Sequence, residues 1–216
     1  MIFSQLKQTI RQSNDGYSGQ QLIQWLDLEE DLNKEAYLLS GGTLRRLVLA
    51  MAFVGRNRTL ILDEPTAALD PRVRRKVWDL ILDSRKTKSL LITSHDFEEA
   101  NKLSDQIYII SEGKTNRRLL WIPESGERRD VREERERISQ VIRSGDFESY
   151  SLIVDKLTKR LNKRTVMPNG VSFVVKRGEC MGLLGLNGSG KTSLFRVLTG
   201  DLETDSGNVW MASKSG

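Results

Sequence analysis

Eight residues near the end of the chain, GLNGSGKT at 185–192, constrain its fold more than any other stretch. They match G-x-x-x-x-G-K-[ST], in which glycines let successive backbone N–H groups turn inward on an anion. In that reading Gly185, Leu186, Asn187, Gly188, Ser189, Gly190, Lys191, Thr192 and the following Ser193 form a phosphate-binding loop. Lys191 reaches the β and γ oxygens, and the Thr192 hydroxyl is placed to ligate Mg²⁺. The surrounding pattern predicts strands over 171–175 and 180–184. A helix over 192–198 follows, with its positive N-terminus facing the anion. The bland alternative is a glycine-rich turn that binds nothing.

Upstream, LILDEP at 60–65 reads as an apolar strand ending in two acids. Asp63 is placed to hold Mg²⁺ through water, and Glu64 to orient or deprotonate an attacking water. The alternative is a capped turn before a helix, since Pro71, Val73, Val77, Leu80 and Ile81 announce one. LSGGTLRR at 39–46 opens another amphipathic helix, with Ser40 as N-cap beside Gly41 and Gly42, and forms a second candidate anion site. His95, the single histidine, ends the apolar strand SLLITSH at 89–95 and is a candidate hydrogen-bond donor to a γ-phosphate.

Taken together, LSGG at 39–42, LILDEP at 60–65, AALD at 67–70, His95 and GLNGSGKT at 185–192 resemble the signature, Walker B, D-loop, H-loop and Walker A of ABC-type ATPase domains. The wording of 49–81 and of 178–209 looks most like the A subfamily of large lipid exporters. This resemblance implies an α/β P-loop NTPase fold of RecA-like type, with ATP and Mg²⁺ as ligands. It assigns Glu64 and His95 to catalysis, Thr192 and Asp63 to the metal, and Gly185 to Ser193 with Ser40, Gly41 and Gly42 to the nucleotide. The implied partners are transmembrane domains, absent from this chain, and a second nucleotide-binding domain or a second copy of the chain.

Motif order departs from that family. Signature, Walker B and histidine come first and Walker A last, so residues 1–115 resemble the second half of one domain and 150–216 the first half of the next. Residues 116–149 then separate them as a charged linker. Permutation of a single domain and assembly from two half-domains are the two accounts of this order. No Q-loop is evident, Thr43 replaces the usual glutamine of the signature, and Leu161 stands where the family places an adenine-stacking aromatic.

Composition bounds the rest. The chain has 216 residues, 38% of them apolar, enough for one core of ordinary size. No apolar run approaches the ~20 residues that span a bilayer, so the chain is expected to be soluble and to work on the cytoplasmic side of a membrane. The net charge of +5 arises from 34 basic against 29 acidic residues without a basic tract, a weak case for nucleic acid. Cys180, the lone cysteine, is expected to pack as a small hydrophobe. The run ESGERRDVREERERISQ within 122–148 reads as a solvated linker or exposed helix, and RRLLWIP as an edge strand ended by Pro123. Three functions fit: the ATPase domain of an ABC transporter, a non-catalytic nucleotide-binding remnant or truncated fragment, and a soluble ABC protein acting on ribosomes or DNA.

Overall fold

The computed structural model describes residues 17–54, 57–110, 119–122, 127–162 and 169–212. The chain divides into two compact units, one of Met1–Leu60 with Pro65–Ser84 and the other of Ile61–Glu64 with Arg85–Gly216.

The first unit is helical. Helix α1 (Gly19–Trp25) begins with a capping box, in which the Gln21 N–H donates to Ser18 Oγ at 3.2 Å and the Ser18 N–H to Gln21 Oε1 at 2.9 Å. Helix α2 (Gly41–Phe53) starts at the predicted N-cap, with the Thr43 N–H donating to Ser40 Oγ at 3.1 Å. Helix α3 (Pro71–Ser84) has proline in its first turn, and Asp70 Oδ1 accepts the N–H groups of Arg72 and Val73, both at 3.0 Å. Those two N–H groups, Val73 foremost, hold the Asp70 carboxyl below the usual range. Leu22, Leu26, Leu47 and Phe53 are fully buried, and Tyr17 lies edge-on to Trp25 and Phe53 with ring centroids 5.8 and 6.5 Å away.

The second unit holds two sheets. Strands β1 (Thr59–Asp63), β2 (Ser89–Ser94), β3 (Gln106–Ile109), β4 (Leu119–Ile122), β5 (Glu127–Asp130), β6 (Tyr150–Thr158), β7 (Val171–Lys176), β8 (Cys180–Leu184) and β9 (Ser206–Met211) form a six-stranded sheet, β1-β2-β8-β3-β4-β5, and a three-stranded one, β7-β6-β9. The last three residues of β1 belong to this unit. Strand β8 runs parallel to both its neighbours, with Leu90 opposite Cys180 and Thr93 opposite Leu183 on one side and Ile107 opposite Gly182 on the other. A strand from the second stretch of sequence is thus inserted between two strands of the first. Gly182 permits this fit, because a Cβ there would lie 2.4 Å from Ser104 Oγ.

Between the sheets, Leu91, Tyr108, Met181 and Leu183 pack with Leu152, Val154 and Phe173 and with Leu194 and Leu198 of helix α6 (Lys191–Leu198). All of these are 6% exposed or less, which places the phosphate-loop helix against the main apolar core. Cys180 is buried as expected, and burial pushes its thiol up to about 12.

Two expectations change. The charged run contributes helix α5 (Val131–Ser144), whose Ile138 and Val141 are buried with Tyr150, Ile153 and Val174. It is therefore a half-buried amphipathic helix, because Ile138, Val141 and Ile142 recur at three- and four-residue spacing among the charges. Strand β4 is not an edge: β3 pairs with it on one side and β5 on the other, so the edge falls to ERRD at 127–130. Helix α4 (Phe97–Leu103) is capped by Asp96, whose Oδ1 accepts from the Glu98 N–H at 2.9 Å.

The entry to β8 is polar. Asp105 pairs with Arg85 and accepts the Cys180 N–H at 2.8 Å, while Glu179 accepts from Gln106 Nε2 at 2.5 Å and from the Lys176 N–H at 2.9 Å. Burial raises the Glu179 carboxyl above its ordinary range, with the Lys176 N–H opposing. A raised folded-state value means the stability contributed by the protonated form is complete below the ordinary carboxylate range and is lost as pH rises through the raised value. Buried Gln106 Oε1 meets no donor among the described residues, so a Gln106 flip would pair it with a neutral amide at 179. Glu179→Gln is therefore expected to flatten the fall in melting temperature from pH 4 to pH 8, measured by thermal denaturation. An unchanged pH slope would contradict this.

Candidate active site

Strand β8 ends at Leu184 and the loop begins at Gly185, whose N–H donates to Ser94 O at 3.1 Å. Each special residue of the loop has a geometric reason. Gly188 and Gly190 have φ of 80° and 98°, the left-handed region that favours glycine. At Gly185 a Cβ would lie 2.6 Å from the Ile110 carbonyl oxygen and 2.5 Å from Ser189 Oγ. Leu186, Asn187 and Gly188 are exposed, as are Thr192 and the tip of the loop generally, whereas Ser189 and Lys191 are each 5% exposed. Ser189 Oγ is buried and has no partner among the described residues.

Lys191 Nζ donates to the carbonyl oxygens of Gly185 at 2.5 Å and Leu186 at 3.2 Å. The same ammonium lies 3.3 Å from Glu64 Oε1. The other Glu64 oxygen, Oε2, bonds His95 Nδ1 at 2.7 Å. Lys191, Glu64 and His95 therefore meet in one cluster, although Lys191 lies far along the chain from the other two. The carboxylate of Glu64 is engaged from two sides.

Glu64 itself sits at φ 47°, a left-handed conformation that side-chain-bearing residues adopt rarely. Its N–H donates to Thr93 Oγ1 at 2.9 Å, and the Thr93 hydroxyl in turn donates to Asp63 Oδ1 at 2.5 Å. Sequence reasoning missed Thr93. The signal was present: Thr93 and Ser94 are hydroxyls in a six-residue strand that is buried throughout, immediately before His95. A polar side chain in such a strand needs a partner, and Asp63 at the end of β1 supplies it.

Ser40, Gly41 and Gly42 belong to the other unit, where Ser40 caps α2 and its Oγ also lies 2.9 Å from Thr43 Oγ1. Leu161, at the position of the missing aromatic, is 43% exposed. The Q-loop has no counterpart identified among the described residues.

The site suits a nucleoside polyphosphate. The cradle at Gly185 is closed to any Cβ, the buried Ser189 hydroxyl awaits a partner, and Lys191 and the start of α6 supply positive charge. Among the described residues no group of three or more His, Cys, Asp or Glu is arranged to hold a metal ion. Asp63 offers a carboxylate oriented by Thr93 and Thr192 an exposed hydroxyl, oxygen donors of the kind magnesium takes together with substrate phosphates.

A sheet whose inserted strand β8 pairs in parallel on both sides and leads into a phosphate loop, with acids at the end of β1 one strand further along, defines a nucleotide-binding α/β domain of the P-loop class. Residues 3–67 and 168–215, together more than half of the chain, match the family model described as ABC transporter. ABC transporter A family member 5 of Dictyostelium discoideum is 48% identical over 89 residues, 41% of this chain and 5% of that protein. ATP-binding cassette sub-family A member 2 of Homo sapiens is 46% identical over 93 residues, 43% of this chain and 4% of that protein. The retinal-specific phospholipid-transporting ATPase ABCA4 of Mus musculus is 45% identical over 87 residues, 40% of this chain and 4% of that protein. The chain belongs to the ABC transporter family, with an ATP-binding domain of the A-subfamily type.

The chain thus spans only about one-twentieth of the length of these relatives. Among solved structures, RNase-L Inhibitor has a TM-score of 0.46 at 23% identity, over 96% of this chain and 42% of that one. The archaeal ribosome recycling factor aABCE1, in its complex with the ribosomal stalk protein aP1, reaches 0.48 at 22% identity, over 98% of this chain and 43% of that one. Likenesses of this degree carry no functional weight.

Gly185→Ala would drive a methyl group against the Ile110 carbonyl, which is backbone and cannot rotate aside. It is expected to weaken binding of a fluorescent ATP analogue by roughly tenfold or more while leaving the circular dichroism spectrum of a folded α/β protein. Equal affinity in the two proteins would show that the cradle is not the phosphate site.

Proposed function

We propose that this chain binds ATP with Mg²⁺ at the 185–192 loop and hydrolyses it, as the nucleotide-binding part of a lipid-exporter-like ABC transporter. The observation that carries the reading is the convergence of Lys191, Glu64 and His95, with Lys191 Nζ 3.3 Å from one Glu64 oxygen and His95 Nδ1 2.7 Å from the other.

Each residue then has a task. Lys191, already held between two loop carbonyls, presents its ammonium to the β and γ phosphate oxygens. When bound, Mg²⁺ would neutralise charge on the terminal phosphates. Asp63 and Thr192 are the residues that would hold it. Glu64, with an oxygen directed to His95, orients and deprotonates the attacking water, and His95 keeps that carboxylate aimed. With Nδ1 as donor to Glu64, the imidazole is held in one tautomer and orientation.

Ser40, Gly41 and Gly42, capping α2, serve in this reading as the signature that completes the γ-phosphate site of a second copy or a second nucleotide-binding domain. Membrane-spanning partners fit the A-subfamily relatives, and no helix among the described residues is long and apolar enough to cross a membrane. The site would therefore work at the cytoplasmic face of a membrane, coupled to spans on another segment or chain. Residues 1–115 and 150–216 act in this proposal as two half-domains that assemble one site.

Lys191→Ala is expected to lower ATP affinity roughly a hundredfold, by loss of a charge-assisted contact in a buried setting. Glu64→Gln should keep affinity within a few-fold and abolish phosphate release. Calorimetry and a phosphate-release assay measure the two. Binding in wild type without any phosphate release would instead favour a nucleotide-binding remnant.

A further inference from the structure

We propose that Thr93 is a positioning residue that fixes both acids of the site, a role that rests on the ATP and Mg²⁺ reading above. One hydroxyl makes two bonds in a defined sense: it accepts the N–H of Glu64 at 2.9 Å and donates its single proton to Asp63 Oδ1. The Thr93 side chain is 1% exposed, so water cannot replace either bond readily.

The two bonds do different work. Accepting from Glu64 N–H satisfies a backbone donor exposed by the left-handed turn at φ 47°, and so holds the turn that sends the Glu64 carboxylate toward Lys191 and His95. Donating to Asp63 Oδ1 sets the plane of that carboxylate, and with it the direction from which the acid meets a cation. The β2 backbone adds a third link, because the next residue, Ser94, accepts the Gly185 N–H at 3.1 Å. The end of β2 is thus the joint between the acid pair and the phosphate loop. Ser94 Oγ donates to the buried Glu99 at 2.6 Å, which anchors that joint to α4.

The geometry separates Thr93 from Lys191. Lys191 acts on phosphate whether or not a cation is present, whereas Thr93 acts through Asp63 and Glu64. Thr93→Val keeps the shape of the side chain and deletes both bonds; Thr93→Ala deletes them with less bulk; Thr93→Ser restores the hydroxyl.

The test uses the whole chain with two readouts, hydrogen exchange of the Glu64 amide without nucleotide, and titration of Mg²⁺ into protein with a fluorescent ATP analogue. In Thr93→Val and Thr93→Ala the Glu64 amide is expected to exchange roughly tenfold faster, and half-saturation to need roughly tenfold more Mg²⁺. Affinity for the analogue in EDTA should stay within about twofold, and Thr93→Ser should return both quantities to within about threefold of wild type. Lys191→Ala should instead lose binding in EDTA and keep the Glu64 amide protected. An unchanged amide and an unchanged Mg²⁺ requirement in Thr93→Val and Thr93→Ala, or a Thr93→Ser protein no better than Thr93→Ala, would overturn the proposal. If wild type binds no analogue in either condition, the ATP reading itself fails. The amide exchange then decides alone whether Thr93 holds Glu64.

Discussion

Everything distinctive about this chain depends on the backbone pairing of β8 with β2 and β3. Five residues, Cys180 to Leu184, hydrogen-bond in parallel to a strand on each side, and both neighbours come from the earlier stretch of sequence. That pairing carries Gly185 to the end of β2, where Ser94 receives its N–H, and sets α6 on the core formed by Leu152, Val154 and Phe173. Without it, the loop and the acids would sit on separate pieces of chain. With it, the sheet brings Lys191 within reach of Glu64.

The pairing is strengthened at both ends of β8 by polar contacts between the same two stretches. At its start Asp105 takes the Cys180 N–H, Gln106 bonds Glu179, and Ser89 Oγ both accepts the Gly178 N–H at 2.8 Å and lies 2.6 Å from Ser151 Oγ. At its end Ile110 N donates to Leu184 O at 2.8 Å. Buried polar groups that satisfy one another reject slipped registers more than they add net stability, since a one-residue shift would orphan them and turn the apolar face of β8 the wrong way.

Much of this was legible beforehand where a residue type has one physical use. The glycines of 185–190, the strand before them, the helix caps at Ser40 and before Pro71, and the acids at 63 and 64 all follow from local rules. The α/β nucleotide-binding fold and the family followed from those motifs. What stayed hidden was set by tertiary pairing. Nothing local in CMGLL says that it pairs between β2 and β3, and nothing in LLWI says that ERRD will cover its outer side. The apolar face of α5 is sparse, with Ile138 and Val141 set among many charges. Thr93 escaped because its function appears only when β1 is laid beside it.

The central claim is that the two stretches form one sheet in the same molecule, and amide-proton Overhauser contacts across β2 and β8 test it most directly. In a deuterated, nitrogen-labelled sample, the account predicts contacts linking Leu91 through Ser94 with Met181 through Leu184, in the register that sets Thr93 opposite Leu183. These contacts should persist in a dilute sample and be absent between separately labelled chains in a mixed one. Contacts of β8 with strands other than β2 and β3, or contacts that appear only between differently labelled chains, would contradict it.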